Sequence, residues 1–174
     1  MSRNIIDVDP KKFPWLDLQR YTFCMAVESK GLVYLSGQTA SAYYETEGRV
    51  ICKGDLLEQT RLIYEKLGVV LEAAGLSFQN VVQTVDYIDP IGLPQYRHTG
   101  DIRREYLGDT PVASTGICVE RLLRPDALIE VSAVATIDEK RAIDPGWARY
   151  QQLTYAPSIE AGDIIWLSGF IGSE

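Results

Sequence analysis

The sequence predicts an α+β fold in which a mixed β-sheet is covered on one face by two helices. Three observations predict it. Segments with strand and helix patterns follow one another in the order ββαβαββ. Each of the two helical segments leads into a run that is rich in β-branched residues. The hairpin pattern at residues 22–37 recurs at 154–169, at a constant shift of 132 positions.

The repeated hairpin is the strongest pattern in the chain. Each copy begins as a half-exposed strand, turns at Lys30-Gly31 or Gly162-Asp163, and continues as an apolar strand that ends in Ser-Gly. Thr, Glu, Leu, Ser and Gly recur identically between the copies, and several apolar positions match in kind. The repetition predicts two hairpins of the same structure.

The first half of the chain predicts an irregular arm, a hairpin, a loop and a long helix. Residues 1–20 are polar and contain two prolines, and residues 38–53 are small, polar and tyrosine-rich, which is typical of a loop that covers a pocket. Asp55 and Glu58 form a capping pattern at the start of the helix. Apolar residues then recur at helical spacing until Gly75, a natural C-cap.

The second half of the chain completes the predicted sheet. A strand is expected at 80–88 and a second helix at 95–107, which ends at Gly108. Two further strands are expected at 112–120 and 127–137. Residues 138–152 are charged and polar and predict a linker or a short helix before the second hairpin.

Composition excludes several classes of function. The chain has 174 residues and a formal net charge of −7, which argues against binding to nucleic acid or to an anionic membrane surface. Its three cysteines have neither metal-site nor redox-motif spacing, so we expect reduced thiols, no metal site and a cytoplasmic location. The first residues lack the pattern of a secretory signal, and no apolar run is long enough to span a membrane.

Candidate functional residues lie at the ends or in the middle of predicted strands. Ser36-Gly37 closes the first hairpin, and Ser114-Thr115-Gly116 offers hydroxyls and backbone N–H groups within a strand. Glu130 is the one acid in an apolar strand, and a buried carboxyl with a raised pKa suits general acid/base chemistry. Alternatively, Glu130 faces outward or pairs with Arg121 or Arg124. The single histidine, His98, has no partner at ligand spacing and predicts an exposed helix residue.

Five blocks of sequence together resemble the RidA family, which is also called the YjgF or L-PSP endoribonuclease family. The resemblance runs from about residue 20 to residue 137. The blocks are Gly31-Leu-Val-Tyr-Leu-Ser-Gly-Gln38, Gln59-Thr60, Val70-Leu-Glu-Ala-Ala-Gly-Leu76, Asn80-Val-Val82 and Ile129-Glu-Val-Ser-Ala-Val-Ala135.

The resemblance implies a chorismate-mutase-like α+β fold and a homotrimer with pockets between its subunits. In one branch of the family these pockets hydrolyse reactive enamines and imines to carbonyl compounds and ammonia, without a metal or cofactor. The resemblance therefore implies that the binding partner of the chain is a small-molecule metabolite.

When each residue of the family's site is matched to this sequence, some positions agree with the family and others differ from it. Ser36, Gly37 and the catalytic Glu130 match the family's serine, glycine and glutamate. Phe23 stands where the active branch has a tyrosine. Ser114 or Gly116, depending on the alignment, stands where it has a carboxylate-binding arginine, and Thr115 lies between them. Arg121, Arg103 or Arg104 could supply that charge from elsewhere. Substrate binding is therefore predicted at Phe23, Ser36, Gly37, Ser114, Thr115, Gly116 and Arg121.

The missing arginine leaves two functions open. One is hydrolytic deamination at Glu130, and the other is a non-catalytic small-molecule-binding or regulatory module of the same fold. Loss of the charge-assisted contact would remove roughly 1.5–3 kcal/mol of substrate anchoring. Ribonuclease activity fits least well, because the chain is acidic and lacks a pair of histidines.

The predicted domains are an arm at 1–20, a RidA-like domain at 21–138, a linker at 139–152 and the start of a second such repeat at 153–174. In that repeat, Tyr155 supplies the hydroxyl that Phe23 lacks. A lone hairpin is marginally stable, so residues 148–174 are expected to dock on a sheet edge in their own or a neighbouring subunit. Such a repeat is expected from a tandem two-domain protein that has been cut short.

Overall fold

The computed structural model describes residues 3–110 and 112–172, and it has the predicted α+β architecture. A six-stranded sheet has the strand order β1-β2-β3-β8-β6-β7, and only β6 and β7 pair in parallel. Two other small sheets are β4-β5 and β9-β10-β11. In chain order the elements are β1 (Asn4–Ile5), β2 (Ala26–Ser29), β3 (Leu32–Thr39), β4 (Ser41–Tyr44), β5 (Arg49–Cys52), α1 (Leu56–Ala73), β6 (Val81–Ile88), α2 (Thr99–Leu107), β7 (Ala113–Cys118), β8 (Ile129–Thr136), β9 (Lys140–Ile143), β10 (Ser158–Ala161) and β11 (Ile164–Leu167).

Helix α1 begins and ends where the capping residues predict. The Asp55 side chain accepts from the N–H of Glu58 at 3.0 Å, and the Glu58 carboxylate accepts from the N–H of Asp55 at 2.9 Å. These two bonds satisfy backbone donors that the first turn leaves free. Gly75 follows the last turn with φ +71°, a conformation that glycine adopts without steric cost.

Helix α2 is shorter than predicted. The segment from Leu93 to His98 forms a 3-10 helix, and the α-helix spans only Thr99–Leu107. Pro94 stands in the first turn of the 3-10 helix, where its missing N–H leaves no intrahelical hydrogen bond unmade.

Three segments predicted to be irregular contain strands. Residues 38–53 were expected to form a loop, but β4 and β5 pair there as a hairpin around Gly48, which has φ +62°. The N-terminal arm contributes β1, which pairs with β2, and the predicted linker contributes β9, which pairs with β10. These strands have two or four residues, too few for alternation of polar and apolar residues to be visible in the sequence.

The main core lies between the two helices and one face of the six-stranded sheet. Alternate residues of β8 point into it, and the side chains of Ile129, Val131 and Ala133 are buried there. Ile63 and Leu67 are among the α1 residues that cover them. The intervening residues of β8, which include Glu130, face the opposite side of the sheet.

The second hairpin, β10-β11, packs on the opposite face of the sheet from the helices. Ile159 is fully buried there against Val82 of β6 and Ala113 of β7. Its other face is exposed at Ile165 and Leu167. Strands β10 and β11 are thus held by contacts within the chain, whereas Ile171 is 79% exposed. Residues 173–174 of the predicted segment lie outside the described residues, as do residues 1–2 of the arm.

Neither helix in the described part of the chain has the length and apolar composition that a membrane crossing requires. The three cysteines have free thiols.

Candidate active site

A cleft of about 460 Å³ opens where the end of β3 meets the start of β8. It contains four of the residues that sequence reasoning had singled out: Phe23, Ser36, Gly37 and Glu130. Aromatic and apolar side chains of the N-terminal segment form one wall. The other lining residues are Phe13, Trp15, Leu16, Tyr21, Met25, Gln38, Thr39, Ser41, Val50, Lys66, Leu123 and Arg124.

Glu130 lies directly against the backbone of Gly37. A Cβ atom built on Gly37 would sit 2.2 Å from Oε1 of Glu130, so only glycine leaves room for the carboxyl group. The register between β3 and β8 shifts between Leu35 and Gln38, which brings this part of β3 over Glu130. The sequence therefore needs Gly37 to hold Glu130 in the cleft.

Glu130 has the electrostatics of a general acid/base. Its side chain is half-buried, and desolvation raises the pKa of the carboxyl group above its usual range. Within the described residues it has no ion-pair partner, so the predicted alternative of a pair with Arg121 or Arg124 is not realised; Arg124 lies beside Asp126 instead, at 3.6 Å. A carboxyl that binds a proton more tightly than usual is better suited to give that proton to a substrate and to take one back.

Replacing Gly37 with Ala is expected to displace the Glu130 carboxyl and to lower turnover by about 10²-fold, the cost of misplacing a reacting group by about 1 Å. The measurement is ammonia release from the imine described below. Gly172→Ala is the matched control, because a Cβ built there has no neighbour within 4 Å. Equal rates for the two variants would contradict the role given to this contact.

Ser36 and the aromatic residues shape the mouth of the cleft. The Ser36 hydroxyl donates to the carbonyl of Cys24 at 2.6 Å, which leaves its oxygen free to accept a hydrogen bond. The Phe23 ring lies 5.2 Å from that of Tyr21. Tyr21 also lines the cleft, so a phenol side chain belongs to the same wall as Phe23.

Sequence reasoning missed Lys66 and did not assign Arg124 to the cleft. The Lys66 ammonium donates to the carbonyl of Thr39 at 2.7 Å and also to that of Ser41, and burial lowers the pKa of its amine to about 8. A signal was available, because Lys66 falls on the apolar stripe of α1 between Ile63 and Val70. With Arg124, it gives one side of the cleft a positive charge.

Ser114, Thr115 and Gly116 do not reach this cleft within one chain. They lie on β7, three strand spacings or roughly 14 Å from β3 across the sheet. The backbone N–H of Ser114 donates to the Ser168 hydroxyl at 2.9 Å, and its carbonyl accepts from the N–H of Gly169 at 3.0 Å. Ser114 and Thr115 are therefore in contact with the second hairpin, and Gly116 lies against Tyr96 of the 3-10 helix, not against Glu130.

None of the three arginines named from the sequence lines the cleft. Arg121 is exposed between β7 and β8. Arg103 is buried beside Asp86, 2.8 Å away, and Arg104 forms an exposed pair with Asp101. The positive charge at the cleft comes from Lys66 and Arg124 instead.

A second groove, about 560 Å³, runs between α1 and α2 and contains the exposed His98. Three of its charged residues have other roles, because Glu58 caps α1, Arg61 pairs with Glu105 and Asp101 pairs with Arg104. The cleft at Glu130 is therefore the stronger candidate for chemistry.

Comparison with known proteins agrees with this architecture. The sequence profile described as Endoribonuclease L-PSP matches residues 18–137. A RutC family protein of Pyrococcus horikoshii is 28% identical over 113 residues, which are 65% of this chain and 85% of that protein. The crystal structure of a member of the YjgF/YER057c/UK114 family from Mycobacterium tuberculosis has a TM-score of 0.61 at 23% identity and covers 78% of this chain and 100% of its own.

A further similar structure is that of E. coli TdcF with bound serine, which has a TM-score of 0.56 at 21% identity and covers 66% of this chain and 88% of its own. The matched profile extends over more than half of the sequence, and its span coincides with the six-stranded sheet and both helices except for the first strand. The chain belongs to the Endoribonuclease L-PSP family, the RidA or YjgF family of the sequence analysis.

Proposed function

We propose that the cleft hydrolyses a reactive enamine or imine to a carbonyl compound and ammonia. The observation that supports this proposal is the half-buried Glu130 carboxyl, which has a raised pKa and lies against Gly37 in an otherwise largely apolar cleft.

Hydrolysis of an imine needs one proton donor and one proton acceptor, and Glu130 can be both in turn. The protonated carboxyl gives its proton to the imine nitrogen, and the carboxylate then takes a proton from the attacking water. The C–O bond forms as the C=N bond becomes single, which leaves a hydroxyl and an amine on the same carbon. Glu130 then gives its proton to the amine nitrogen, the C–N bond breaks as ammonia leaves, and the hydroxyl returns a proton to Glu130 as it becomes the carbonyl group. An enamine enters the same sequence after protonation at carbon. No residue has to form a covalent bond with the substrate.

The charges in the cleft favour a substrate that carries a carboxylate. Arg124 lies on its lining, and a guanidinium group anchors a carboxylate through charge-assisted hydrogen bonds. The Lys66 ammonium donates its hydrogen bonds to Thr39 and Ser41, so it contributes positive charge to the cleft and no direct bond to the substrate. The bound serine in E. coli TdcF is itself an amino acid. A 2-imino acid or 2-amino-2-alkenoic acid is therefore the proposed substrate class. The homotrimer with pockets between subunits, implied by the family resemblance, remains a prediction.

The test is ammonia release from an imine that an amino-acid oxidase generates in the same solution. We expect the protein to accelerate release above the spontaneous rate for at least one class of side chain, and we expect Arg124→Ala to raise KM more than it lowers kcat. No acceleration with any of several amino acids, by a correctly folded protein, would contradict the proposal.

A non-catalytic binding module is the second candidate. The observations that favour it are the absence of an arginine on the described part of β7 and the loss of a hydroxyl at Phe23. A binder would be stabilised against heat by a metabolite that it never turns over. A melting shift without ammonia release would therefore select this second function.

A further inference from the structure

One wall of the cleft at Glu130 consists of side chains from the N-terminal part of the chain. We call it the arm wall, and its residues are Phe13, Trp15, Leu16, Tyr21 and Phe23. The rings of Phe13 and Trp15 meet edge to face, with their centroids 6.0 Å apart. Because the matched family profile begins at residue 18, the first three residues of the arm wall lie outside the family match. This part of the cleft is therefore a feature that the family match does not describe.

The arm wall is anchored to the rest of the protein. Strand β1, at the start of the arm, pairs with β2, and the Phe13 side chain is buried because it packs into the main core. The Lys66 ammonium lies 5.4 Å from the centroid of the Trp15 ring, within the range of a cation–π interaction. The same ammonium is fixed by its hydrogen bonds to the carbonyls of Thr39 and Ser41. The arm wall therefore offers a ligand a fixed, largely apolar surface.

Three polar donors on the cleft lining already have partners within the chain. The Ser36 hydroxyl donates to the carbonyl of Cys24 at 2.6 Å, and the Gln38 side chain donates to the carbonyl of Ser36 at 3.1 Å. The Lys66 ammonium donates to backbone carbonyls as well. A polar group on a ligand would therefore give up its water without gaining these donors, whereas an apolar group gains free energy by leaving water.

We propose that the cleft selects substrates with a bulky apolar or aromatic side chain, and that Trp15 is the residue that determines this specificity. The inference rests on the proposed function, in which Arg124 binds the carboxylate of a 2-imino acid and Glu130 transfers the protons. The side chain of such a substrate is left with the apolar part of the lining. That part comprises the arm wall together with Met25, Val50 and Leu123.

The cleft is large enough to hold an aromatic ring. Its volume of about 460 Å³ lies within the range of roughly 300–1,000 Å³ that is usual for small-molecule sites. Phe23 and Leu123 on its lining are exposed, so a substrate side chain that covers them removes apolar surface from water. A methyl group covers much less of this surface than a phenyl ring or a branched alkyl group. We therefore expect kcat/KM to rise with the size and the apolarity of the substrate side chain.

The test compares ammonia release from imines that an amino-acid oxidase generates from phenylalanine, alanine, leucine and asparagine. We expect kcat/KM to be about 100-fold or more higher for the phenylalanine imine than for the alanine imine, since a single methylene in a hydrophobic pocket already changes it by about 10-fold or more. The side chains of leucine and asparagine have similar size and branching, so this pair separates apolarity from volume. The leucine imine is expected to be favoured by about 10-fold or more.

Trp15→Ala is expected to lower the phenylalanine-to-alanine ratio of kcat/KM by about 10-fold, because it removes a contact with the ring that the methyl group does not make. This ratio does not depend on the fraction of the sample that is folded, and Trp15→Leu provides the same measurement if Trp15→Ala does not fold. Trp147→Ala is the matched control, because Trp147 is half-exposed and lies outside the cleft lining. It should keep the wild-type ratio.

Binding of stable oxo acids separates this inference from the proposed function. Phenylpyruvate is expected to raise the melting temperature of the wild type more than an equal concentration of pyruvate does, and the Trp15 substitutions are expected to reduce the difference. If this holds without ammonia release from any imine, the proposed function fails and the selectivity of the cleft stands. Equal kcat/KM within either pair of imines, a phenylalanine-to-alanine ratio that the Trp15 substitutions leave unchanged, or equal melting shifts with the two oxo acids would overturn the inference.

Discussion

Replacing Glu130 with Gln is expected to lower imine hydrolysis by about 10²–10⁴-fold, the usual contribution of a positioned acid/base group. Glutamine keeps the shape of the side chain beside Gly37 but cannot transfer a proton. The measurement is kcat for ammonia release, together with its pH profile. The limb of the profile that reports ionisation of a carboxyl above its usual pKa should be present in the wild type and absent from the variant.

The same substitution is expected to stabilise the fold at neutral pH. Burial raises the pKa of Glu130 in the folded state above its pKa in the unfolded state. At a pH above the folded-state pKa, the charged carboxylate therefore lowers the free energy of unfolding. This loss of stability disappears as the pH falls below the pKa of Glu130 in the unfolded state. Gln carries no charge, so the free energy of unfolding of the variant should exceed that of the wild type at pH 7 and match it more closely in acid. Urea unfolding at both pH values measures the difference.

Glu120→Gln is the matched control, since Glu120 is exposed and outside the cleft lining. It should leave both the rate of ammonia release and the free energy of unfolding at pH 7 close to those of the wild type. A Glu130→Gln variant that is stabilised but keeps its rate would show that Glu130 is a buried carboxyl without a catalytic role.

The helices and the repeated hairpin could be predicted from patterns among residues that are close together in the sequence. Asp55 and Glu58 interact within one turn, and the turn at Gly162-Asp163 joins adjacent strands, so sequence spacing alone specifies both. The grouping of Ser36, Gly37 and Glu130 was also predictable, but only from the family resemblance, because it depends on β3 lying beside β8.

Features that depend on strand order could not be predicted in this way. Ser114 is separated from β3 by β8 and β6, and no local pattern reveals that separation. The position of Arg124 could not be predicted either. It belongs to the segment between β7 and β8 and reaches the cleft beside β5, where it donates to the carbonyl of Val50. Lys66 differs, since its place on an apolar helical stripe is a local signal that marks a buried cation.

A buried ion pair joins β6 to α2, and breaking it is expected to cost a large part of the stability of the fold. The side chains of Asp86 and Arg103 are 2% and 4% exposed, with the carboxylate oxygen and guanidinium nitrogen 2.8 Å apart. The Tyr96 hydroxyl donates to the same oxygen at 2.8 Å. Arg103 also donates to the Thr84 hydroxyl at 3.2 Å, and Thr84 in turn bonds to the Ser114 hydroxyl at 3.0 Å. The network therefore connects α2 and β6 to the β7 edge.

Arg103→Met is expected to lower the free energy of unfolding by about 3–5 kcal/mol, because it leaves the Asp86 carboxylate buried without its counter-charge. Arg104→Met, one position along α2, is the matched control. Its pair with Asp101 is exposed, so removing it should cost about 0–1 kcal/mol. Urea unfolding at pH 7 measures both.

The double variant Asp86→Leu/Arg103→Met separates the charge from the packing. If an uncompensated buried charge causes the loss, the double variant should be more stable than Arg103→Met alone, since neither charge remains. Tyr96 and Thr84 would then keep hydroxyls without their charged partners, which limits the recovery to part of the loss. A double variant no more stable than Arg103→Met would instead show that the Arg103 side chain stabilises α2 through its contacts and not through its charge.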